Sequence, residues 1–325
     1  MDKTITVVVP TYNEEENIPL IYGRISKIFQ EQLPEYQYEI LFIDNCSEDA
    51  SRKRILELSK EDFRVKAIFN ARNFGFTRST FYGLSQAEGN CAILIFADMQ
   101  DPPEVIPQFV AEWEKGYKLV TGIKHQSKEG PLMFLIRKIY YQLIKRISEI
   151  DHIEQFDGFG LYDRSFIEVL RTLDDPVPYL RGIIAELGYQ RKDVLYTQEK
   201  RQHGKSSFNF FRLYDQAMLG ITSYSKIVLR MATIIGCIIA AISLVIAGVT
   251  FVYKLLHWDS FPIGNAAISI GVFFFGAVQM FFIGLLGEYV LSINTRVLRR
   301  PLVIEDQRIN FGAEEKEQDE TEAFV

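Results

Sequence analysis

Two runs of this sequence contain no charged residue at all: Met231–Tyr253, 23 residues, and Ile263–Gly287, 25 residues. Each exceeds the roughly 20 residues that a helix needs to cross a hydrocarbon core about 30 Å thick. Only KLLHWDSFP separates them, enough for a turn, and Tyr253 and Trp258 stand where interfacial aromatics belong. The pattern predicts two transmembrane helices, about 231–253 and 263–289, within a segment covering 228–292. Lys226 and Arg230 precede the first run, and Arg296, Arg299 and Arg300 follow the second; the connection has Lys254 offset by Asp259. That asymmetry places both flanks in the cytoplasm and predicts a multi-pass protein of the cytoplasmic membrane, with the N-terminal domain and both termini inside. The opening MDKTITVVVP lacks the basic start and long apolar core of a signal peptide, in keeping with that placement.

Residues 1–225 are then expected to form a cytoplasmic domain, and 293–325 a cytoplasmic tail. The formal net charge of −6 says little about partners, because the tail alone accounts for it: residues 305–325 carry eight acidic and two basic side chains. From 305 onward the tail reads as a solvated, disordered end. The body is neutral and shows no basic block with interleaved aromatics, which argues against nucleic acid. Two stretches ahead of the first span have interfacial patterning, near 131–149 and 208–226. In the former, Leu132, Leu135, Ile136, Ile139, Leu143 and Ile147 recur at helical steps while Arg137, Lys138, Lys145 and Arg146 lie off that stripe. Packing of either stripe into the domain core is the open alternative.

Over the first 125 residues, β-rich runs (ITVVVP, YEILFID, VKAIF, CAILIFAD, KLVTG) alternate with helical stretches at 14–32, 49–60, 77–87 and 103–115. Apolar strands separated by helices predict an α/β domain with a parallel sheet covered on both faces. Ligands of such sheets bind beyond the carboxyl ends of the strands, where this chain has PTYNEE, DNCSED and ADMQDPPE. No GxGxxG follows the first strand and no GxxxxGK[ST] occurs, which disfavours dinucleotide redox chemistry and P-loop phosphoryl transfer. Cys46, Cys91 and Cys237 form no CxxC pair, and His125, His152, His203 and His257 have no zinc spacing. The oxygen-rich loop Asp98, Gln100, Asp101 instead suits Mg2+ or Mn2+ carrying a diphosphate. DPPE also reads as a helix start with Asp101 as N-cap.

Seven motifs occur in order: VVVPTYNEEENI, FIDNCSEDAS, RNFGFTRSTFYGL, IFADMQDPPE, FGLYDR, RQHGKSSFN and GLLGEYV. Together, over residues 4 to about 304, they resemble the inverting GT-A glycosyltransferases that act on polyprenyl phosphates, the bactoprenol glucosyltransferases and dolichyl-phosphate mannose synthases. The resemblance implies a Rossmann-like nucleotide-sugar domain followed by a two-helix transmembrane hairpin. It implies that Pro10, Tyr12, Glu14 and Asp44 hold the donor nucleoside, that Ala97 lines the diphosphate loop, and that Asp98 and Gln100 hold the metal. Lys124, Arg201 and Lys205 would meet the phosphates, and Asp157 would be the candidate base. The implied reaction moves a sugar with inversion from a nucleotide sugar to undecaprenyl phosphate, giving a lipid-linked monosaccharide for cell-envelope glycans. A UDP-sugar such as UDP-glucose or UDP-GlcNAc is the expected donor, with GDP-mannose the alternative. Self-association through the hairpin would be compatible with this.

Four positions depart from the pattern. Phe96 stands at the first aspartate of the DxD motif, Asn45 at the second aspartate of the second loop, Gly160 at an arginine, and Ser207 at a lysine. They leave room for a second reading, a non-enzymatic membrane scaffold or flippase accessory that has kept the fold.

Overall fold

The computed structural model describes residues 3–126, 153, 155–199, 265–298 and 300–312, with scattered helical positions between 234 and 256. Both expected interfacial stretches, most of the first expected span, Arg201 and Lys205 lie outside the described residues. The chain divides into two compact units. One comprises Met1–Lys138, His152–Phe208 and Leu298–Val325; the other comprises Ile139–Asp151 and Asn209–Val297.

In the first unit the strands are β1 (Thr4–Thr11), β2 (Gln37–Asp44), β3 (Val65–Asn70), β4 (Cys91–Leu94), β5 (Leu119–Gln126), β6 (Gly160–Asp163), β7 (Arg191–Thr197) and β8 (Glu305–Ile309). They form one sheet in the order β7-β5-β6-β4-β1-β2-β3-β8. The helices are α1 (Asn17–Glu31), α2 (Ser51–Glu61), α3 (Phe76–Ser85), α4 (Ile106–Glu114, entered through a 3-10 turn at Pro103–Val105), α5 (Arg164–Thr172) and α6 (Leu180–Glu186). The centre of the sheet, β4-β1-β2-β3, is parallel as the apolar runs predict.

Alternation along β1 builds two cores. Val7 and Val9 face one side with Ile18, Ile21 and Ile25 of α1 and Phe109 of α4. Val8 faces the other with Phe81 and Leu84 of α3 and Phe166 and Ile167 of α5. All of these side chains are at most 1% exposed. Burying each contributes about 1.5–3 kcal/mol, and a strand covered on both faces has no polar side to leave in water.

The sheet is mixed, not wholly parallel. β6 runs antiparallel between β4 and β5, and β8 runs antiparallel along β3. The second of these corrects the expected disorder over Glu305–Ile309, which form an edge strand; residues 313–325 lie outside the described residues. The strand is acidic in composition, but its partners supply the complement. Arg52 pairs with Asp306 at 2.7 Å, Tyr82 donates to Glu305 at 2.7 Å, and Asn310 Nδ2 donates to the Ser59 and Val65 carbonyls at 2.9 Å.

In the second unit, the described residues include one long helix, α7 (Asn265–Val297, 33 residues), about 50 Å in length. Within it Phe274–Thr295 is long and apolar enough to cross a membrane. The helix therefore continues beyond the expected end at 289, through Arg296. Among its described side chains, Ile268, Met280, Ile283, Val290 and Val297 are each at least 61% exposed.

Candidate functional site

β4, β1 and β2 are neighbours, so the loops that follow them share one edge of the sheet. The β1 loop and the β2 loop are sewn together by their own polar groups. Ser47 Oγ accepts the Asn13 N–H at 2.9 Å, Asn13 Oδ1 accepts the Glu48 N–H at 2.8 Å, and Ser51 Oγ accepts the Glu14 N–H at 2.8 Å. Pro10 lies half-buried one residue before the end of β1, and Tyr12 half-buried in the loop beyond. Glu14 is buried, and its carboxylate accepts Asn17 Nδ2 at 2.5 Å, so it closes the entry to α1. Asp44, 1% exposed, ends β2 and accepts the Ser47 N–H at 3.1 Å and the Ser47 hydroxyl. Burial pushes its carboxyl above the ordinary carboxylate range, against the lowering pull of Ser47 and Arg52.

The departure at Asn45 has a local cause. Its amide donates to Asn73 Oδ1 at 2.9 Å, and its carbonyl accepts Asn70 Nδ2 at 3.1 Å and the Phe74 N–H at 3.0 Å. An ionised aspartate there could accept but not donate. Gly160 is equally constrained, since a Cβ would stand 2.4 Å from the Val120 carbonyl oxygen across the β5–β6 ladder. Phe96 packs against the second core, its ring centroid 5.3 Å from that of Phe76.

Beyond β4, Ala97 is buried and Asp98 and Gln100 are half-buried. Met99 between them has φ 59°, and Asp98 Oδ1 accepts the Gln100 N–H at 3.2 Å. Among the described residues, four of the five non-glycine positions with left-handed φ (Asn13, Cys46, Met99 and Gln155) lie in loops around this edge. Such conformations cost about 1–2 kcal/mol each and concentrate where function fixes the backbone.

Two strands further along, Lys124 Nζ meets Asp157 Oδ2 at 2.6 Å, with side chains 15% and 26% exposed. Asp101 is 1% exposed and accepts the Tyr196 hydroxyl. Its carboxyl is raised well above the ordinary range, first by burial and then by Asp157, with Lys124 and Tyr196 opposing and Asp98 adding to the rise. Asp98, Asp157 and Lys124 thus all act on the charge of Asp101. The N-cap reading of Asp101 gives way: the cap position is Pro102, with no side-chain cap bond. Tyr196 is the member of this cluster absent from the sequence-based reading, which places Asp101 in the oxygen-rich loop; 95 residues separate the two.

The donors fit a hard divalent cation in kind. Mg2+ is commonly held by one or two carboxylates with substrate phosphates completing its shell. Asp98 and Gln100 offer oxygens at one turn, and among the described residues no group of three or more His, Cys, Asp or Glu forms a self-sufficient cage.

Residues 6–171, from β1 into α5, match Glycosyl transferase family 2. The chain belongs to glycosyl transferase family 2. It is 35% identical over 301 residues to the SfII prophage-derived bactoprenol glucosyl transferase of Shigella flexneri, covering 92% of this chain and 96% of the relative. It is 34% identical over 307 residues to the prophage bactoprenol glucosyl transferase homolog of Escherichia coli K12, covering 92% and 97%. Among solved structures, glucosyl-3-phosphoglycerate synthase from Mycobacterium tuberculosis in complex with Mn2+, UDP and glucosyl-3-phosphoglycerate is 18% identical, with a TM-score of 0.48, covering 68% of this chain and 78% of that one. As a family 2 member this protein is a glycosyltransferase with a GT-A-like α/β domain, and the matched stretch contains Asp44, Asp98, Lys124 and Asp157.

Proposed function

We propose that this glycosyltransferase moves a sugar, with inversion, from a UDP-sugar to a polyprenyl phosphate at the cytoplasmic face of a membrane. The observation that carries the reading is the gathering of Asp98, Lys124 and Asp157 at the sheet edge next to the Asp44 loop. Relatives named bactoprenol glucosyl transferase, matched over 92% of the chain, support the acceptor class. The exposed apolar side chains of α7 support membrane residence, because water does not tolerate an apolar helix exposed along its length.

Asp44, Pro10 and Tyr12 would bind the donor nucleoside. Asp98 and Gln100 would hold Mg2+ or Mn2+, which when bound supplies charge neutralisation on the departing diphosphate. Arg201 and Lys205 would add cationic contacts, a guanidinium fork matching two phosphate oxygens. The nucleophile is a phosphate oxygen, already largely ionised at neutral pH because its second pKa is about 6. It requires alignment more than a base. Asp157, paired with Lys124 at 2.6 Å, would serve first to orient that ammonium towards a phosphate of the bound substrates.

The test is transfer from radiolabelled UDP- and GDP-sugars to undecaprenyl phosphate in detergent with Mg2+ or Mn2+. Lipid-linked product from one donor, reduced on the order of 10²–10³-fold in Asp98→Ala, is the expected result. A folded protein that yields no product with any donor would sink the reading.

A further inference from the structure

Backbone pairing brings the chain after β3 to the chain after α7. Asn70 stands opposite Glu305 in the β3–β8 ladder, and the Ala71 N–H donates to the Ile304 carbonyl at 2.9 Å. Arg72 and Arg300 flank that junction, and Arg78 lies in the first turn of α3. Arg72 donates to the Asn73 carbonyl at 3.1 Å and lies 4.1 Å over the Phe74 ring. The Arg78 guanidinium is held below the usual arginine range, first by burial and then by Arg72 and Arg300, with no carboxylate offsetting them. Among the described residues, none of the three takes part in an ion pair. The start of α3 adds to the positive field, having no acidic residue in its first turn and no side-chain cap.

Arg72 and Arg300 flank the β3–β8 junction and Arg78 lies on α3, whose Tyr82 donates to Glu305 of β8; guanidinium groups gathered there outside any ion pair among the described residues complement an anion. Guanidinium forks match phosphate oxygens in particular. The location favours a lipid-borne phosphate: Arg300 is the third residue past Val297, where α7 ends. Around the junction Phe76, Leu298 and Ile304 leave 43%, 49% and 56% of their surface exposed. Basic groups interleaved with exposed apolar side chains are the composition of a surface that meets anionic headgroups.

We propose that Arg72, Arg78 and Arg300 form a docking site for the phosphate headgroup of an anionic phospholipid. The inference rests on the membrane reading above. It adds to that reading a contact between the sheet domain and bulk lipid, beside the loop in which Asn45 holds Asn73 and Phe74.

Native mass spectrometry of the full chain in detergent tests it, with phosphatidylglycerol titrated against phosphatidylcholine. The wild type should retain phosphatidylglycerol preferentially, and Arg78→Ala and Arg300→Ala should each weaken that retention about fivefold. Thermal unfolding in detergent alone should match the wild type for both variants. Equal retention of the two lipids by the wild type, or unchanged retention by the variants, overturns the proposal. So does a rise in KM for undecaprenyl phosphate in the variants with phosphatidylglycerol absent, which would make the cluster an acceptor site. A chain that stays monodisperse without detergent would defeat the membrane reading itself, a distinct result from a detergent-requiring chain with no lipid preference.

Discussion

Asp44 shows how a residue proposed to bind the donor can oppose the stability of the domain that holds it. The carboxyl is buried at the end of β2, and burial, only partly relieved by Ser47 and Arg52, raises its pKa above the ordinary 3.8. A group raised in this way stabilises the fold below its unfolded pKa, and that contribution disappears as pH climbs through the folded value. At neutral pH the wild type therefore keeps an ionised, poorly solvated carboxylate. Asp44→Asn should unfold at a higher temperature near neutrality, the gain shrinking as pH falls towards 4, with weaker binding of the donor nucleotide. Thermal unfolding against pH with nucleotide titration checks both halves; a less stable variant at pH 7 would contradict the assignment. Asp44 and Asp98 were legible in the sequence because each ends an apolar run, and strand ends are where α/β sheets present ligands. The pairing of Asp101 was not. Its partner Tyr196 lies on a strand 95 residues away, and DPPE looks locally like a helix start.

At the scale of elements, the parallel strands β1 to β4 could be read directly because burial on both faces leaves an unbroken apolar signature. The two antiparallel strands left no such trace. β6 has only four residues, and β8 reads EDQRI, whose place depends on Arg52, Tyr82 and the edge of β3 more than on its own apolarity. β6 also explains why Gly160 replaces the family's arginine. In this register the Val120 carbonyl occupies the space a side chain would take. Gly160→Ala should force β5 and β6 apart, costing about 1–3 kcal/mol in chemical denaturation. Glycosyl transfer should fall with it, since β5 carries Lys124 and the chain entering β6 carries Asp157. An alanine variant as stable as the wild type would show that the ladder yields more readily than its geometry indicates.

At the scale of the whole molecule, the strand after α7 constrains topology more firmly than any hydropathy pattern. β8 is hydrogen-bonded to β3 in the same sheet as β1, so the chain before and after the apolar region must lie on one side of any membrane. The number of crossings between Thr197 and Glu305 is therefore even. If α7 crosses, one further crossing must come from the chain ahead of it, and the uncharged run 231–253 is long enough to supply it. This reasoning supports the hairpin independently of loop charge. It also makes the hairpin vulnerable to a single experiment, because Cys46 is exposed in the sheet domain and serves as an internal marker. In intact cells an impermeant maleimide should spare Cys46 and a Gln307→Cys variant while labelling Ser260→Cys, and inverted vesicles should reverse the pattern. Labelling of all three positions from the same side would mean that α7 does not cross, and its apolar surface would then have to be covered by protein.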